Sequence, residues 1–222
     1  ELVILSYFYY NLLMKKTILI TLLIINQLFC STFDDLKLTD EDFIEISNSK
    51  EKNSIFDRIN QLILLKKSLS SLDDDFVKLN AVNNFFNEYK YQADIEIYKK
   101  QDYWATRKEF MINGTGDCED FVIAKYFTLL ELGIDKSKLS VLHNLHENEY
   151  HLILAYQENS SSEVLILDSL NKNILPLTKR DDIVVLYTLE ILDLNNKELQ
   201  SLNDLRAISN YKWTILYKKS LN

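Results

Sequence analysis

The sequence predicts an α+β fold in which N-terminal helices pack on an antiparallel sheet. Apolar residues recur at helical spacing in two successive stretches of the first half. Alternating runs rich in β-branched residues, separated by Asn, Ser, Asp and Lys loops, fill the second half. With only three Gly and one Pro in 222 residues, the turns between these runs must lean on Asn and Asp.

That length suits one domain with a real core. A composition of 47% apolar and 26% charged residues excludes wholesale disorder and a multi-span membrane protein. The formal net charge of −8 and pI near 5.0 repel phosphate backbones, so no nucleic acid partner is expected.

Taken in order, the first Met is Met14, followed by Lys15-Lys16 and a nearly unbroken apolar run over 17–29. A positive start and an h-region of this length read as a secretory leader, shorter than a spanning helix. Residues 1–30 are therefore read as a leader, with 1–13 non-native and 14–30 a signal peptide or an uncleaved anchor. Residues 31–222 are read as a single domain, exported to the periplasm. Lipid attachment at Cys30 fits badly after Leu28-Phe29. Cleavage at or after Cys30 leaves one thiol, Cys118, in an oxidising compartment.

Residues 31–54 form a polar, acidic entry segment in which Thr39-x-x-Asp42 resembles a capping box. Ile55, Ile59, Leu62 and Ile63 mark one amphipathic helix, and Phe76, Leu79, Val82 and Phe86 a second. Residues 88–104 carry Tyr and Trp without periodicity and read as an irregular lead-in. Thr106-x-x-Glu109 opens a short helix that stops at Asn113-Gly114-Thr115-Gly116. Asp117-Cys118-Glu119-Asp120 then leads into a helix through Phe121, Val122, Tyr126, Leu129 and Leu130, stopped at Gly133. Strands are expected at 139–142, 151–156, 164–167, 183–189 and 213–217.

A lone thiol is ordinarily a small buried hydrophobe. Cys118, however, falls in the first turn of a helix, where unpaired N–H groups and the macrodipole favour the thiolate. The Gly114-Thr115-Gly116 approach is expected to leave room for a substrate or an oxyanion. A cysteine nucleophile needs a base, and the three His residues are His143, His146 and His151. His151 opens an alternating strand that joins 164–167 through a polar loop turning near Ser160. If Tyr156 pairs with Glu163, His151 falls opposite Asp168, and pairing with Val164 shifts this by one residue. Asp168 then orients the His151 ring. His143 and His146 flank a polar loop and read as surface residues.

Asp117, Glu119 and Asp120 disfavour ionisation of the neighbouring thiol while suiting a helix start. Two readings stand: helix-start acids with Asp117 as N-cap, or three hard oxygen ligands for Ca²⁺, whose charge reverses the local field. Zinc is not expected, because neither CxxC nor HExxH occurs.

The stretch Leu79-Asn80-Ala81-Val82-Asn83-Asn84-Phe85-Phe86-Asn87, then Asp102-Tyr103-Trp104-Ala105-Thr106, then 114–127 with its GDCED…AKY block, resembles the bacterial transglutaminase-like cysteine peptidases. Among them it is similar to the LapG-type periplasmic adhesin proteases. The segments 151–156 and 165–170 resemble the His and Asp segments of that family, in the same order. The resemblance spans roughly residues 55–190. It implies a papain-like/transglutaminase-like fold, with Cys118 as nucleophile, His151 as base and Asp168 as orienting partner. It also implies calcium dependence through Asp117, Glu119 and Asp120. Such proteases clip the N-terminal region of a large cell-surface adhesin, releasing it and dispersing biofilm. An inner-membrane cyclic di-GMP receptor sequesters them. Trp104 matches a family Trp that serves receptor docking, with a core aromatic as the equal alternative. The sequence departs from the family at Arg107, where Pro is usual, and at Ser169, where Asn is common. Two other functions share these residues: a transamidase passing the thioester to an amine, and a catalytically silent module binding the receptor or adhesin. Incorporation of a labelled amine marks the first, and a thiol probe that ignores Cys118 the second.

Overall fold

The computed structural model describes Leu36, residues 38–191 and residues 205–221. The expected leader, residues 1–30 with Cys30, lies outside the described residues. Among those described, no helix is long and apolar enough to cross a membrane. The chain divides between Ser49 and Lys50, inside the single domain expected over 31–222.

The first unit contains helix α1 (Asp40–Asn48). Its capping box forms as expected: the Asp42 N–H donates to Thr39 Oγ1 at 3.2 Å, and the Thr39 N–H to Asp42 Oδ2 at 2.7 Å.

The second unit starts with α2 (Lys52–Leu69) and α3 (Asp75–Asn87). α2 buries Ile55, Ile59 and Leu62, and α3 buries Leu79, Val82 and Phe86, as their spacing predicts. Two expected positions differ: Ile63 is half-buried, and Phe76 is 52% exposed because it stands in the first turn of α3. The stretch read as irregular holds a short strand β1 (Lys90–Tyr91) and one turn of helix, α4 (Asp94–Ile97). Helix α5 (Arg107–Asn113) has the full Thr106/Glu109 capping box, so Arg107 starts the helix where the family favours Pro. The Arg107 guanidinium pairs with Glu131 at 2.5 Å. Gly114 ends α5 in the left-handed region at φ 70°.

Strand β2 (Thr115–Gly116) pairs in parallel with β1. Helix α6 (Cys118–Glu131) follows and is buried on nearly every face. It closes in a Schellman motif: the Ile134 N–H donates to Leu129 O at 3.1 Å, the Gly133 N–H to Leu130 O at 3.0 Å.

Strands β3 (Leu139–His146), β4 (Glu149–Tyr156), β5 (Leu165–Leu167), β6 (Leu175–Pro176) and β7 (Ile183–Thr188) form an antiparallel sheet ordered β6-β5-β4-β3-β7. β3 and β4 are joined by Glu147-Asn148 alone, both at positive φ, as a two-residue hairpin turn demands. Two readings are corrected here. His143 is no surface residue: it lies within β3, 5% exposed, stacked on Tyr187 at 4.9 Å. His146 ends the same strand half-buried, 3.5 Å from Asp182. One face of the sheet buries Leu142, Ile153, Ala155, Ile166 and Ile183 together.

The strand expected over 213–217 is instead part of helix α7 (Leu205–Leu221). Trp213, Thr214, Ile215 and Tyr217 favour strands locally, but Ser209, Asn210, Trp213, Thr214 and Leu216 are buried at helical spacing. Trp213 packs edge-on against Tyr126 of α6 at 5.0 Å, so tertiary packing overrides propensity.

Candidate active site

Cys118 is the first residue of α6 and is half-buried. Its thiol donates to Glu119 Oε2 at 3.1 Å. Burial, followed by the charge and hydrogen bond of Glu119, pushes the Cys118 thiol well above its ordinary range. The glycine approach differs from expectation. A Cβ on Gly114 would meet the Arg58 guanidinium at 2.8 Å, and one on Gly116 would meet the Asp120 carboxylate at 2.8 Å. That room is taken by protein side chains rather than left for a substrate.

His151 and Asp168 meet. His151 Nε2 lies 2.7 Å from Asp168 Oδ1, with the two residues 4% and 0% exposed. Tyr156 pairs with Leu165, so the register is two residues beyond the first pairing considered. An even shift keeps both side chains on one face, and Asp168 reaches the ring as a diagonal neighbour. With Asp168 ionised, Nε2 is the protonated nitrogen, and Nδ1 is left as the basic one.

The carboxylate of Asp168 is saturated. Oδ1 also accepts from the Leu170 N–H at 3.0 Å, and Oδ2 accepts from Arg180 at 2.7 Å. Burial alone would raise this carboxyl, yet His151, the Leu170 N–H and Arg180 outweigh it and hold Asp168 far below the usual carboxylate range. Its carbonyl accepts from Asn87 Nδ2 at 2.8 Å and from Lys125 Nζ at 3.1 Å. Burial lowers the Lys125 amine to about 7, with the Asp168 charge opposing.

The acidic residues divide. Asp94, at the start of α4, joins Asp117 and Glu119, each offering an oxygen within 4.8 Å of the others. Asp120 stands apart from this trio, its Oδ1 accepting from the Ala105 N–H at 2.7 Å. Asp117 is the N-cap of α6 but makes no side-chain capping bond. Asp94 Oδ1, Asp117 Oδ1 and Asp120 Oδ2 are buried with no hydrogen-bond partner. Burial first, then mutual repulsion, pushes Asp117, Glu119 and Asp120 upward, and burial with nearby Asp102 does the same to Asp94. Buried, orphaned, mutually repelling carboxylate oxygens are a donor set suited to a hard divalent cation.

Tyr91 and Phe121 stack at 6.4 Å and 10°. Trp104 is half-buried with Lys212 Nζ 5.8 Å from its ring centroid. Asp94, Arg180, Lys125 and Tyr91 escaped the sequence reading. Asp94, Arg180 and Tyr91 come from other parts of the chain with no local motif to mark them, whereas Lys125 stands on α6 itself, in the AKY end of the block already noted.

Residues 58–185 match the sequence model of the bacterial transglutaminase-like cysteine proteinases, BTLCP. The chain belongs to this family. Calcium-bound Legionella pneumophila LapG is similar at 33% identity and a TM-score of 0.60, over 75% of this chain and 91% of that one. EGTA-treated Legionella pneumophila LapG is similar at 33% identity and a TM-score of 0.61, over 75% and 89%. Comparison with curated proteins found no match. The protein is thus a cysteine proteinase with the transglutaminase-like α+β fold expected from its sequence.

Proposed function

We propose that this proteinase is an exported, calcium-dependent endopeptidase with Cys118, His151 and Asp168 as its catalytic residues. The bond of 2.7 Å between His151 and Asp168, with His151 on the strand β4 that packs against the helix Cys118 opens, carries this reading. Cys118 Sγ bonds to a peptide carbonyl carbon as its proton passes to His151 Nδ1. The imidazolium gives that proton to the leaving amine, and water then hydrolyses the thioester. Asp168, pinned by Arg180, holds the ring in the tautomer that keeps Nδ1 basic.

Asp94, Asp117 and Glu119 fit Ca²⁺, with Asp94 in the place that the family resemblance gives to Asp120. When bound there, the ion supplies positive charge that offsets the acids beside the thiol. Similarity to a protein solved in calcium-bound and EGTA-treated forms supports this assignment.

The family resemblance extends the reading to a large surface adhesin, cut in its N-terminal region in the periplasm to disperse biofilm. It extends also to sequestration by an inner-membrane cyclic di-GMP receptor, with Trp104 at the docking surface. The test is incubation with the N-terminal region of a large adhesin from the same cell. Cleavage by the wild type, lost in Cys118→Ala and on chelation, is the expected result. Full cleavage by Cys118→Ala refutes the nucleophile, and cleavage indifferent to chelator refutes the calcium requirement.

A further inference from the structure

We propose that Asn87 and Lys125 are positioning residues that together hold the main chain of Asp168, so that its carboxylate stays on the His151 ring. This role rests on Cys118, His151 and Asp168 being the catalytic residues and adds what fixes the acid among them.

Asp168 is the first residue beyond β5, whose pairing with β4 ends at Leu154 and Leu167. The pairing of β5 with β6 ends one residue earlier, at Ile166 and Leu175. The sheet therefore places Leu167 but not Asp168, and the carbonyl of this buried residue needs donors from elsewhere. Two helices supply them. Asn87 Nδ2, at the last position of α3, donates to Asp168 O at 2.8 Å, and Lys125 Nζ of α6 donates to the same oxygen at 3.1 Å. Asn83, one turn before Asn87, ties the two together. Its Oδ1 accepts from Lys125 Nζ at 2.8 Å, and its Nδ2 donates to Lys172 O at 3.0 Å, so the turn after Asp168 is held at both ends.

All three side chains are buried. An amine is costly to bury unless its protons are used, and charged or neutral, Lys125 has the two protons these bonds take. Lys125 also stands two turns along α6 from Cys118, on the same face of the helix. One helix thus carries the nucleophile at its start and, two turns on, a bond to the residue that orients the base. The stretch 79–87 and the AKY end of the 114–127 block accordingly meet at a single carbonyl. Releasing that carbonyl lets the acid drift from the ring, and a displacement of ~1 Å at a catalytic group costs on the order of 100-fold in rate.

The test is a double-mutant cycle on acylation by p-nitrophenyl acetate, read as nitrophenolate release from full-length protein with Cys118→Ala as the blank. In that step the sulfur bonds to the acetyl carbonyl carbon, its proton passes to His151 and nitrophenolate leaves. Asn87→Ala and Lys125→Met should each lower the maximal acylation rate ~100-fold, with the half-saturating ester concentration unchanged. In the Asp168→Asn background neither should lower the rate further, because the carboxylate they hold is gone. A wild-type rate in either folded variant overturns the proposal. So does a full further ~100-fold loss in the Asp168→Asn background, which would show action independent of Asp168. The urea midpoint of each variant separates lost folding from lost position, and Asn87→Ala, at a helix end, keeps the cycle readable where Lys125→Met does not fold. A wild-type rate in Asp168→Asn alone would instead bring down the catalytic assignment on which this role depends.

Discussion

Asp168 and the group formed by Asp94, Asp117 and Glu119 are both largely buried carboxylate systems next to the proposed nucleophile and base, and their oxygens are partnered in opposite ways. Every oxygen of Asp168 has a partner, including the guanidinium of Arg180, and its carboxyl is held low. The second group faces itself, keeps orphaned oxygens and is pushed high. The chain brings its own cation to the first group, whereas the second, on the proposed calcium binding, would take an ion from solution. A fixed charge suits a carboxylate that must orient a ring permanently, and an exchangeable charge suits one that can gate the thiol.

The largest expected effect breaks the first half of this contrast. Asp168→Asn should lower kcat/KM by roughly 10⁴-fold through loss of the working His151 tautomer, as read from cleavage kinetics. Removing the built-in cation comes next. Arg180→Ala leaves a buried carboxylate short of a partner and should cost about 3–5 kcal/mol, measured as a shift of the urea unfolding midpoint. For the second group, Ca²⁺ at 100-fold above its Kd should stabilise the fold by ~2.7 kcal/mol, seen as a raised Tm that chelator reverses. Asp94→Asn should erase that response while Asp168→Asn retains it, which separates the two carboxylate systems directly. A pH-dependent effect comes from Lys125 behind Asp168. Its amine loses its proton near pH 7 in the fold, against 10.5 ordinarily. Between these values the unfolded chain holds a proton the folded one lacks, so stability rises with pH across the window. Lys125→Met should flatten that rise in denaturant titrations at its two ends.

The same division describes what could be read from the sequence. Local signals were legible: both capping boxes, the core stripes of α2 and α3, the helix beginning at Cys118 and the glycine stops all form. The pairing of His151 with Asp168 was legible because strand alternation preserves a face even when register slips by two residues. Groups fixed by long-range packing were not. Arg180 arrives through a turn after β6, and Asp94 through a single helical turn in a stretch without periodicity. Asp117 and Glu119 are adjacent to Asp120 in sequence but meet Asp94 in space, because Asp120 turns toward the Ala105 N–H. Trp213 and its neighbours misled for a related reason, since their intrinsic preference is overruled by contact with Tyr126.

The Arg58 side chain of α2 donates to the last carbonyls of α5, Met111 O at 2.9 Å and Ile112 O at 2.5 Å, and fills the space over Gly114. A planar fork spans two such oxygens at once, which an ammonium cannot reproduce. The segment that delivers the thiol is thereby fastened to a helix about sixty residues earlier in the chain. Native-state hydrogen exchange should therefore find the amides around Gly114 and those in the middle of α2 opening as one cooperative unit, with Arg58→Lys uncoupling them.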